Sequence, residues 1–470
     1  MLMYVAGEWR GADRDEPVRN PFDGEVVDTV PVAGAADAEL ALAAAVDGAA
    51  AMRRLSAWER SEILRRAADL VEGAFEELAR TIALEVGKPL TEARNEARRI
   101  PPLIRLSASE GARLHGETVP VDAAAGGERK LAFTIRQPCG VVVAITPFNY
   151  PALLVMHKVG PALAAGNAVV LKPARQTPLT ALLLTRLLLE AGLPENALQC
   201  LTGPGSELGG ALCSDRRVRK ISFTGSTSVG EEITRVAGVK RLSLELGSNC
   251  PLIVLPDADL EQVAAATATG GYVNAGQVCI SVQRVLVARE VYADFVDCLV
   301  PHVEALRTGH PLDEGTGLGP VISTAEAERV EQTIRAALDG GATLISGGGR
   351  DGAVVEPTVV GDVDPSMSIS RDELFGPAVA LTPVSGIDEA IAFANDSAYG
   401  LGAGLFTSDI KAAMRFAAEV DAGSIQINSS PLWRADLMPY GGLKGSGIGK
   451  EGPRYAVEEM TELKTVVLHS

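Results

Sequence analysis

No segment of this 470-residue chain carries the roughly 18 uninterrupted apolar residues that a membrane-spanning helix requires. Met1 to Arg10 likewise lacks a basic head followed by an apolar core, so no secretory leader is expected there and the protein is read as cytoplasmic. No Lys/Arg-rich run interrupts a chain with 60 acidic and 43 basic residues and a formal net charge of -17. That balance argues against a nucleic-acid partner and fits a protein that handles small molecules. The six cysteines, Cys139, Cys200, Cys213, Cys250, Cys279 and Cys298, form no CxxC pair. Neither a zinc site nor a disulfide framework is indicated, and most of the thiols are expected to be reduced, buried and inert. Internal repeats are missing, as are low-complexity segments apart from Ala-rich helices.

What is present is the composition of a folded protein, with 47% hydrophobic and 22% charged residues. The length exceeds what one core of about 100 to 200 residues accommodates, so two or three domains are expected. From Val141 onward short β-branched runs alternate with helical patterns, the arrangement that yields a parallel sheet flanked by helices. Strands are predicted at Val141 to Thr146, Ala168 to Leu171, Leu198 to Leu201, Lys220 to Phe223 and Arg241 to Leu244. The helices between them are predicted at Pro151 to Ala164, Pro178 to Glu190, Ser206 to Leu212 and Ser226 to Val236. Upstream, Ala35 to Ala50 and Ser56 to Val86 have helical periodicity. A small-residue turn at Asp122 to Gly127 separates Glu117 to Val121 from Lys130 to Gln137, which predicts a projecting hairpin. A second alternating block follows Gly247, with strands predicted at Leu252 to Leu255, Arg284 to Val287, Ala342 to Ser346 and Ser424 to Ile427. The strand-like stretch Thr461 to Leu468 is expected to pair with the hairpin edge of another subunit, making an oligomer.

Cys279 lies in Asn274-Ala-Gly-Gln-Val-Cys-Ile280, where small residues would bring a thiol to a tight turn with backbone N–H groups nearby. By itself this is weak, because an intracellular cysteine is most often a small buried hydrophobe. The wider sequence decides it. Thr146-Pro-Phe-Asn-Tyr-Pro151, Gly160-Pro-Ala-Leu-Ala-Ala-Gly-Asn167, Leu171-Lys-Pro173, Phe223-Thr-Gly-Ser226, Leu244-Glu-Leu-Gly247, Gly276-Gln-Val-Cys279, Glu373-Leu-Phe-Gly-Pro377 and Pro439-Tyr-Gly-Gly-Leu-Lys444 resemble, in order and across nearly the whole chain, signatures of the aldehyde dehydrogenase superfamily. Gly276 to Arg284 looks nearest the lactaldehyde and succinate-semialdehyde-like branches.

The resemblance implies an α/β fold with a Rossmann-type cofactor domain at 1–116 and 137–247, an α/β catalytic domain at 248–455, and a small β flap for oligomerisation at 117–136 and 456–470. It also implies oxidation of an aldehyde to the acid. The Cys279 thiolate would add to the aldehyde carbon, the oxyanion would expel hydride to a nicotinamide, and a thioester would remain. The Asn149 amide and the Cys279 N–H would donate to the oxyanion. Glu245 would be the base for thioester hydrolysis. Relatives that pass the acyl group to coenzyme A typically lack this glutamate, so its presence argues against an acylating or phosphorylating enzyme; intact Cys279, Glu245 and Asn149 argue against an idle family member.

By the same resemblance Lys172 would hold the adenosine ribose, and Gly225 and Ser226 would bring a helix N-terminus to the pyrophosphate. Gly205 would allow close backbone approach. Glu373 and Phe375 would hold the nicotinamide ribose and ring, while Thr146, Pro147, Phe223 and Leu246 complete the cofactor set. NAD-preferring relatives often carry Glu three residues after the strand-end lysine, where this chain has Arg175. A guanidinium there would pair with a 2'-phosphate, which favours NADP without excluding NAD. Ser248-Asn249 also departs from the usual second glycine. Gly445-Ser-Gly-Ile-Gly-Lys450 fails the phosphate-loop spacing and is read as a structural loop. Arg434 and His157 are the substrate candidates, placed to bind the anionic group of a small aldehyde. The alternative is that Arg434 salt-bridges a neighbouring loop and His157 fills a polar niche. Whether the oligomer is a dimer or tetramer is left open.

Overall fold

The computed structural model describes residues 1–469. Its first sheet has eight strands, and its parallel centre consists of Val141–Ile145, Ala168–Lys172, Leu198–Cys200, Val218–Thr224 and Arg241–Glu245. All five were predicted, with ends displaced by no more than two residues. Side chains alternate across this sheet as the pleat requires. Val142, Ala144, Val169 and Leu171 enter a core built with Leu153–Ala164, Leu179–Glu190 and the upstream helices. Val141, Val143, Ala168 and Val170 face the opposite core, built with Ala35–Arg54, Gly205–Ser214 and Thr227–Ala237. Both faces are covered, which explains why these strands read as continuous apolar runs.

Three upstream features differ from expectation. Met3–Val5 and Glu8–Arg10 extend the sheet, with Tyr4 antiparallel to Cys200. The Ser56 to Val86 pattern divides into Ala57–Gly73 and Phe75–Val86, because Ala74 leaves helical geometry at φ -95° and ψ 17°. Leu90–Ala112 is a 23-residue helix containing Pro101 and Pro102, which hide it from a reading based on helix propensity.

The second sheet runs in the order Thr343–Ser346, Thr358–Gly361, Ala378–Val384, Arg284–Ala288, Pro251–Val254, Gly402–Phe406, Ser424–Ile427. Only its Thr343–Ser346 edge is antiparallel. Thr358–Gly361, Ala378–Val384 and Gly402–Phe406 were not predicted; the last, Gly-Ala-Gly-Leu-Phe, has low strand propensity and is held by burial between its neighbours. The chain then returns to the first sheet, where Gly447–Ile448 pairs antiparallel with Leu244 and Glu245. Gly447 has φ +142°, and a Cβ there would run into Leu244 O. Leu246 N–H donates to Ser446 O at 2.9 Å and Ser446 Oγ–H to Gly247 O at 2.7 Å. The Gly-rich loop therefore clamps the Glu245-Leu246-Gly247 segment.

The terminal strand requires a correction. Thr461–His469 pairs along its length with Lys130–Pro138 of the same chain, from Thr461 opposite Pro138 to His469 opposite Lys130. Alternation reveals a strand but not which chain its partner comes from. Thr118–Val119 completes this three-stranded sheet, joined through the predicted turn. Among the described residues no helix is long and apolar enough to cross a membrane, and no cluster of three metal-ligating side chains occurs.

Candidate active site

Cys279 is presented by a strained turn. After Leu260–Tyr272, Asn274, Ala275 and Gly276 all take left-handed backbone, with φ of 52°, 52° and 70°. Such conformations cost about 1–2 kcal/mol per non-glycine residue and persist only where surrounding structure enforces them. Gln277 supplies part of that enforcement: its Nε2 donates to Asn274 O at 3.0 Å, and its Oε1 accepts from Ile322 N–H at 2.8 Å. The N–H groups of Gln277, Val278 and Ser281 close short turns, whereas that of Cys279 takes no acceptor among the described residues. Residue Cys279 is partly exposed, and its Sγ lies 2.8 Å from Tyr440 Oη. Burial pushes its pKa up to about 12, with the Tyr440 hydrogen bond acting in the opposite direction.

Two cavities meet at this sulfur. One, of about 590 Å³, is lined by Arg99, Asn149, Tyr150, Leu432, Trp433, Arg434 and Tyr440 together with Cys279. The other, of about 500 Å³, is lined by Pro147, Phe148, Asn149, Gly225, Ser226, Leu246, Glu373 and Phe375 together with Cys279. Asn149 follows the Val141–Ile145 strand, where residues at the carboxyl ends of parallel strands border the crevice. Its Nδ2 donates one hydrogen bond to Gln277 O at 2.8 Å and retains a second N–H. Its backbone carbonyl accepts from Lys88 Nζ at 2.7 Å and from Asn274 Nδ2 at 3.1 Å. Lys88 is itself paired with Glu96 at 2.7 Å, both fully buried, and Glu96 accepts from the N–H groups of Ala152 and Leu153. This buried pair anchors the segment that carries Asn149.

The second cavity fits a nicotinamide dinucleotide. Ser226 precedes Thr227–Ala237 without capping it through its side chain, so N–H groups at that helix start face the cavity without a side-chain acceptor. A Cβ on Gly225 would meet the Phe223 ring at 2.5 Å, which shows how closely strand end and turn approach. Glu373 accepts from Ser248 N–H at 3.0 Å, and burial raises its pKa to about 7. Phe375 stands edge-on to Phe148 with ring centroids 5.9 Å apart. Lys172 is buried at its strand end beside Gly205, with Nζ donating to Pro173 O at 2.9 Å. Thr146 is buried next to it, its N–H bonded to Lys172 O. Arg175 is exposed and held in a two-point pair with Glu16 at 2.6 and 2.9 Å. The Ser248-Asn249 departure has a structural role: Asn249 Nδ2 donates to Ser370 O and Arg371 O, and its carbonyl accepts from Arg284 Nε. This pair thus ties the Glu245 strand end to the loop carrying Glu373.

Glu245 ends its strand beneath Gly441, buried and lining neither cavity. Its Oε2 has no hydrogen-bond partner among the described residues. Burial, then the nearby Glu451, holds its pKa well above the ordinary carboxylate range. Glu451 itself is kept ionised, near 2, because Lys158 and Arg434 pair with it at 2.9 and 3.2 Å. The two carboxyls are driven apart in this way, Glu245 towards the neutral form and Glu451 towards the charged one.

Arg434 lies in the cavity wall with its guanidinium 3.7 Å above the Tyr440 ring. Its Nε is buried and without an acceptor among the described residues. Arg434 pairs with Glu451, as the salt-bridge alternative expected, and also lines the cavity. His157 departs from the expected approach to the mouth. It is 1% exposed, lines neither of the two cavities, and faces Asp436 and Arg434 at 3.3 Å each. The reason is that Leu153–Ala164 is buried on every side. Arg99, paired with Asp436 at 2.6 Å, was missed; it comes from the unpredicted Leu90–Ala112 helix. Tyr440 was visible only as part of a quoted motif.

The comparisons with known proteins agree with this geometry. The model of the aldehyde dehydrogenase family matches residues 9–466. The chain is 48% identical over 467 residues to the 3-sulfolactaldehyde dehydrogenase of Priestia aryabhattai, covering 99% of this chain and 98% of that one. It superposes on succinate-semialdehyde dehydrogenase from Burkholderia pseudomallei with a TM-score of 0.97 at 38% identity, covering 100% and 98% of the two chains. For glyceraldehyde-3-phosphate dehydrogenase from Methanocaldococcus jannaschii, solved with NADP, the TM-score is 0.94 at 38% identity, with 97% and 100% covered. With a thiol at the junction of two cavities and a family match spanning nearly all of its length, the chain belongs to the aldehyde dehydrogenase family.

Proposed function

We propose that this enzyme oxidises a small anionic aldehyde to its carboxylic acid, with Cys279 as nucleophile and NADP favoured over NAD. The observation that carries the reading is the shared wall: Cys279 and Asn149 line both cavities, one with the predicted cofactor residues and one with Arg434. The Cys279 thiolate adds to the aldehyde carbon, and the Asn149 Nδ2 and Cys279 N–H groups donate to the oxygen as its charge develops. When bound, the nicotinamide accepts the hydride. Lys172, Gly205, Gly225, Ser226, Glu373 and Phe375 would hold the cofactor, with Thr146, Pro147, Phe223 and Leu246 shaping its bed. The thioester on Cys279 is then hydrolysed, Glu245 taking a proton from the attacking water after its side chain turns toward the cavity. A carboxyl with a raised pKa suits that exchange near neutrality.

Charge supports an anionic substrate. Three cations, Arg99, Arg434 and Lys158, gather here with two ionised acids, Asp436 and Glu451, while Glu245 is kept protonated. Burial and Arg434 hold His157 below its usual pKa and therefore neutral. Of these cations Arg99 and Arg434 line the cavity, and Arg434 keeps its Nε without an acceptor among the described residues. The three relatives are named for sulfonated, carboxylated and phosphorylated aldehydes, which is consistent with a cation facing the substrate. Arg175 supports NADP, since a 2'-phosphate would compete with Glu16 for its guanidinium. We take the enzyme to act in the cytoplasm, with all six cysteines free in the structure, and to assemble as a dimer or tetramer through its terminal three-stranded sheet.

The test is a set of initial rates of reduced-cofactor formation for neutral and anionic aldehydes with NAD and NADP. NADP-dependent turnover, fastest with anionic aldehydes, is expected. Arg434→Ala should raise KM for anionic aldehydes selectively, and an equal effect on neutral ones would remove Arg434 from substrate recognition.

A further inference from the structure

Tyr440 is 5% exposed and its hydroxyl makes one polar contact, the 2.8 Å approach to Cys279 Sγ. Its backbone fixes that approach. Tyr440 N–H donates to Glu451 O at 3.1 Å, and Glu451 N–H donates back to Tyr440 O at 2.6 Å. The Glu451 carboxylate in turn holds Arg434 at 3.2 Å, and the Arg434 guanidinium stands 3.7 Å over the Tyr440 ring. Three groups are thus stacked toward one sulfur: cation, phenol, thiol. A cation over an aromatic face draws electron density from the ring, and a phenol so polarised is a stronger hydrogen-bond donor.

We propose, on the reading that Cys279 is the nucleophile, that Tyr440 is a catalytic residue whose hydroxyl donates to the Cys279 sulfur in its thiolate form, with Arg434 a positioning residue that strengthens this donor from above the ring. A buried thiolate needs such a donor because burial favours the neutral thiol, and the thiol is a poor nucleophile. The other ionisable groups around the sulfur do not supply one. Glu245 and Cys250 act against the thiolate, Tyr150 lines the same cavity without a hydrogen bond to the sulfur among the described residues, and Arg434 reaches it through space. When sulfur bonds to the aldehyde carbon it loses its negative charge, and the Tyr440 hydrogen bond weakens as the Asn149 and Cys279 N–H donors take up charge on oxygen. The stabilising contact therefore follows the charge rather than trapping the nucleophile.

The test needs neither aldehyde nor cofactor. Iodoacetamide alkylates the full-length enzyme, the thiol proton passing to solvent and iodide leaving as the carbon–sulfur bond forms. The Cys279 peptide is followed by mass spectrometry from pH 6.5 to 10. Loss of the donor should raise the thiol pKa by about one unit. Thiolate falls tenfold while its intrinsic reactivity rises about threefold, so Tyr440→Phe should be alkylated about threefold more slowly below that pKa. Arg434→Met should also slow alkylation, and by a smaller factor when Tyr440 is already Phe, as a relay through the ring requires. Thermal melts matching wild type exclude misfolding. A wild-type rate in Tyr440→Phe would overturn the proposal while leaving Cys279 as nucleophile. Failure of Cys279 to alkylate above the rate of the other cysteines in wild type would overturn both.

Discussion

In the proposed mechanism Asn149 and Glu245 act through hydrogen-bonding capacity that the structure leaves unused among the described residues. Asn149 keeps one amide N–H after satisfying Gln277 O, and its removal should lower kcat by about 10²- to 10³-fold, the usual cost of one oxyanion donor. Cofactor affinity, read by fluorescence titration, should be little changed, because Asn149→Ala leaves the glycine turn and helix start intact. For Glu245 the sign of the pH dependence is fixed by its burial. Its pKa is raised, so the carboxylate that accepts a proton from water forms only as pH rises through a value above the ordinary range. Single-turnover deacylation should accelerate along that limb, and Glu245→Gln should flatten it. These two residues and Cys279 were readable because each sits inside a short contiguous motif. Arg99 lies in no such motif, and Tyr440 lies in one without a role attached to it, because which side chains the fold brings against the sulfur is encoded by nothing local in the sequence.

The turn at Asn274 to Gly276 places the thiol, and Gly276 is its least replaceable member. It has φ +70°, and a Cβ would collide with Gly376 O, a backbone atom with little freedom to withdraw. Gly276→Ala should therefore abolish turnover and lower the midpoint of denaturant unfolding, whereas a solvent-exposed glycine such as Gly210 should accept alanine with an effect within about 1 kcal/mol. The sequence shows small residues in this turn but not the three successive left-handed conformations, two of them in non-glycine residues. The same division runs through the fold. The central parallel strands are legible because burial on both faces makes them long β-branched runs. Gly402–Phe406 is not, since its strand state is imposed by neighbours on either side. Leu90–Ala112 is not either, since Pro101 and Pro102 oppose helix locally and tertiary packing overrides them.

For the whole molecule, the internal pairing of Thr461–His469 with Lys130–Pro138 changes how assembly is understood. It leaves the outer edge of the terminal strand without a partner among the described residues. Leu131, Leu463 and Leu468 are each more than half exposed on this sheet, a concentration of apolar surface that a partner would cover. Sedimentation velocity should give a multiple of the single-chain mass, and Leu463→Glu with Leu468→Glu should shift it toward one chain. An unchanged mass in that variant would place the interface elsewhere. Acyl transfer through Cys279 is what the two-cavity junction and its lining arginines imply. It is tested most directly by mixing Glu245→Gln with NADP and succinate semialdehyde, quenching in acid, and measuring intact and peptide masses. A succinyl adduct on the Cys279 peptide is expected, trapped because hydrolysis is slowed; turnover with that cysteine unmodified, or an adduct on another residue, would rule out Cys279 as the nucleophile.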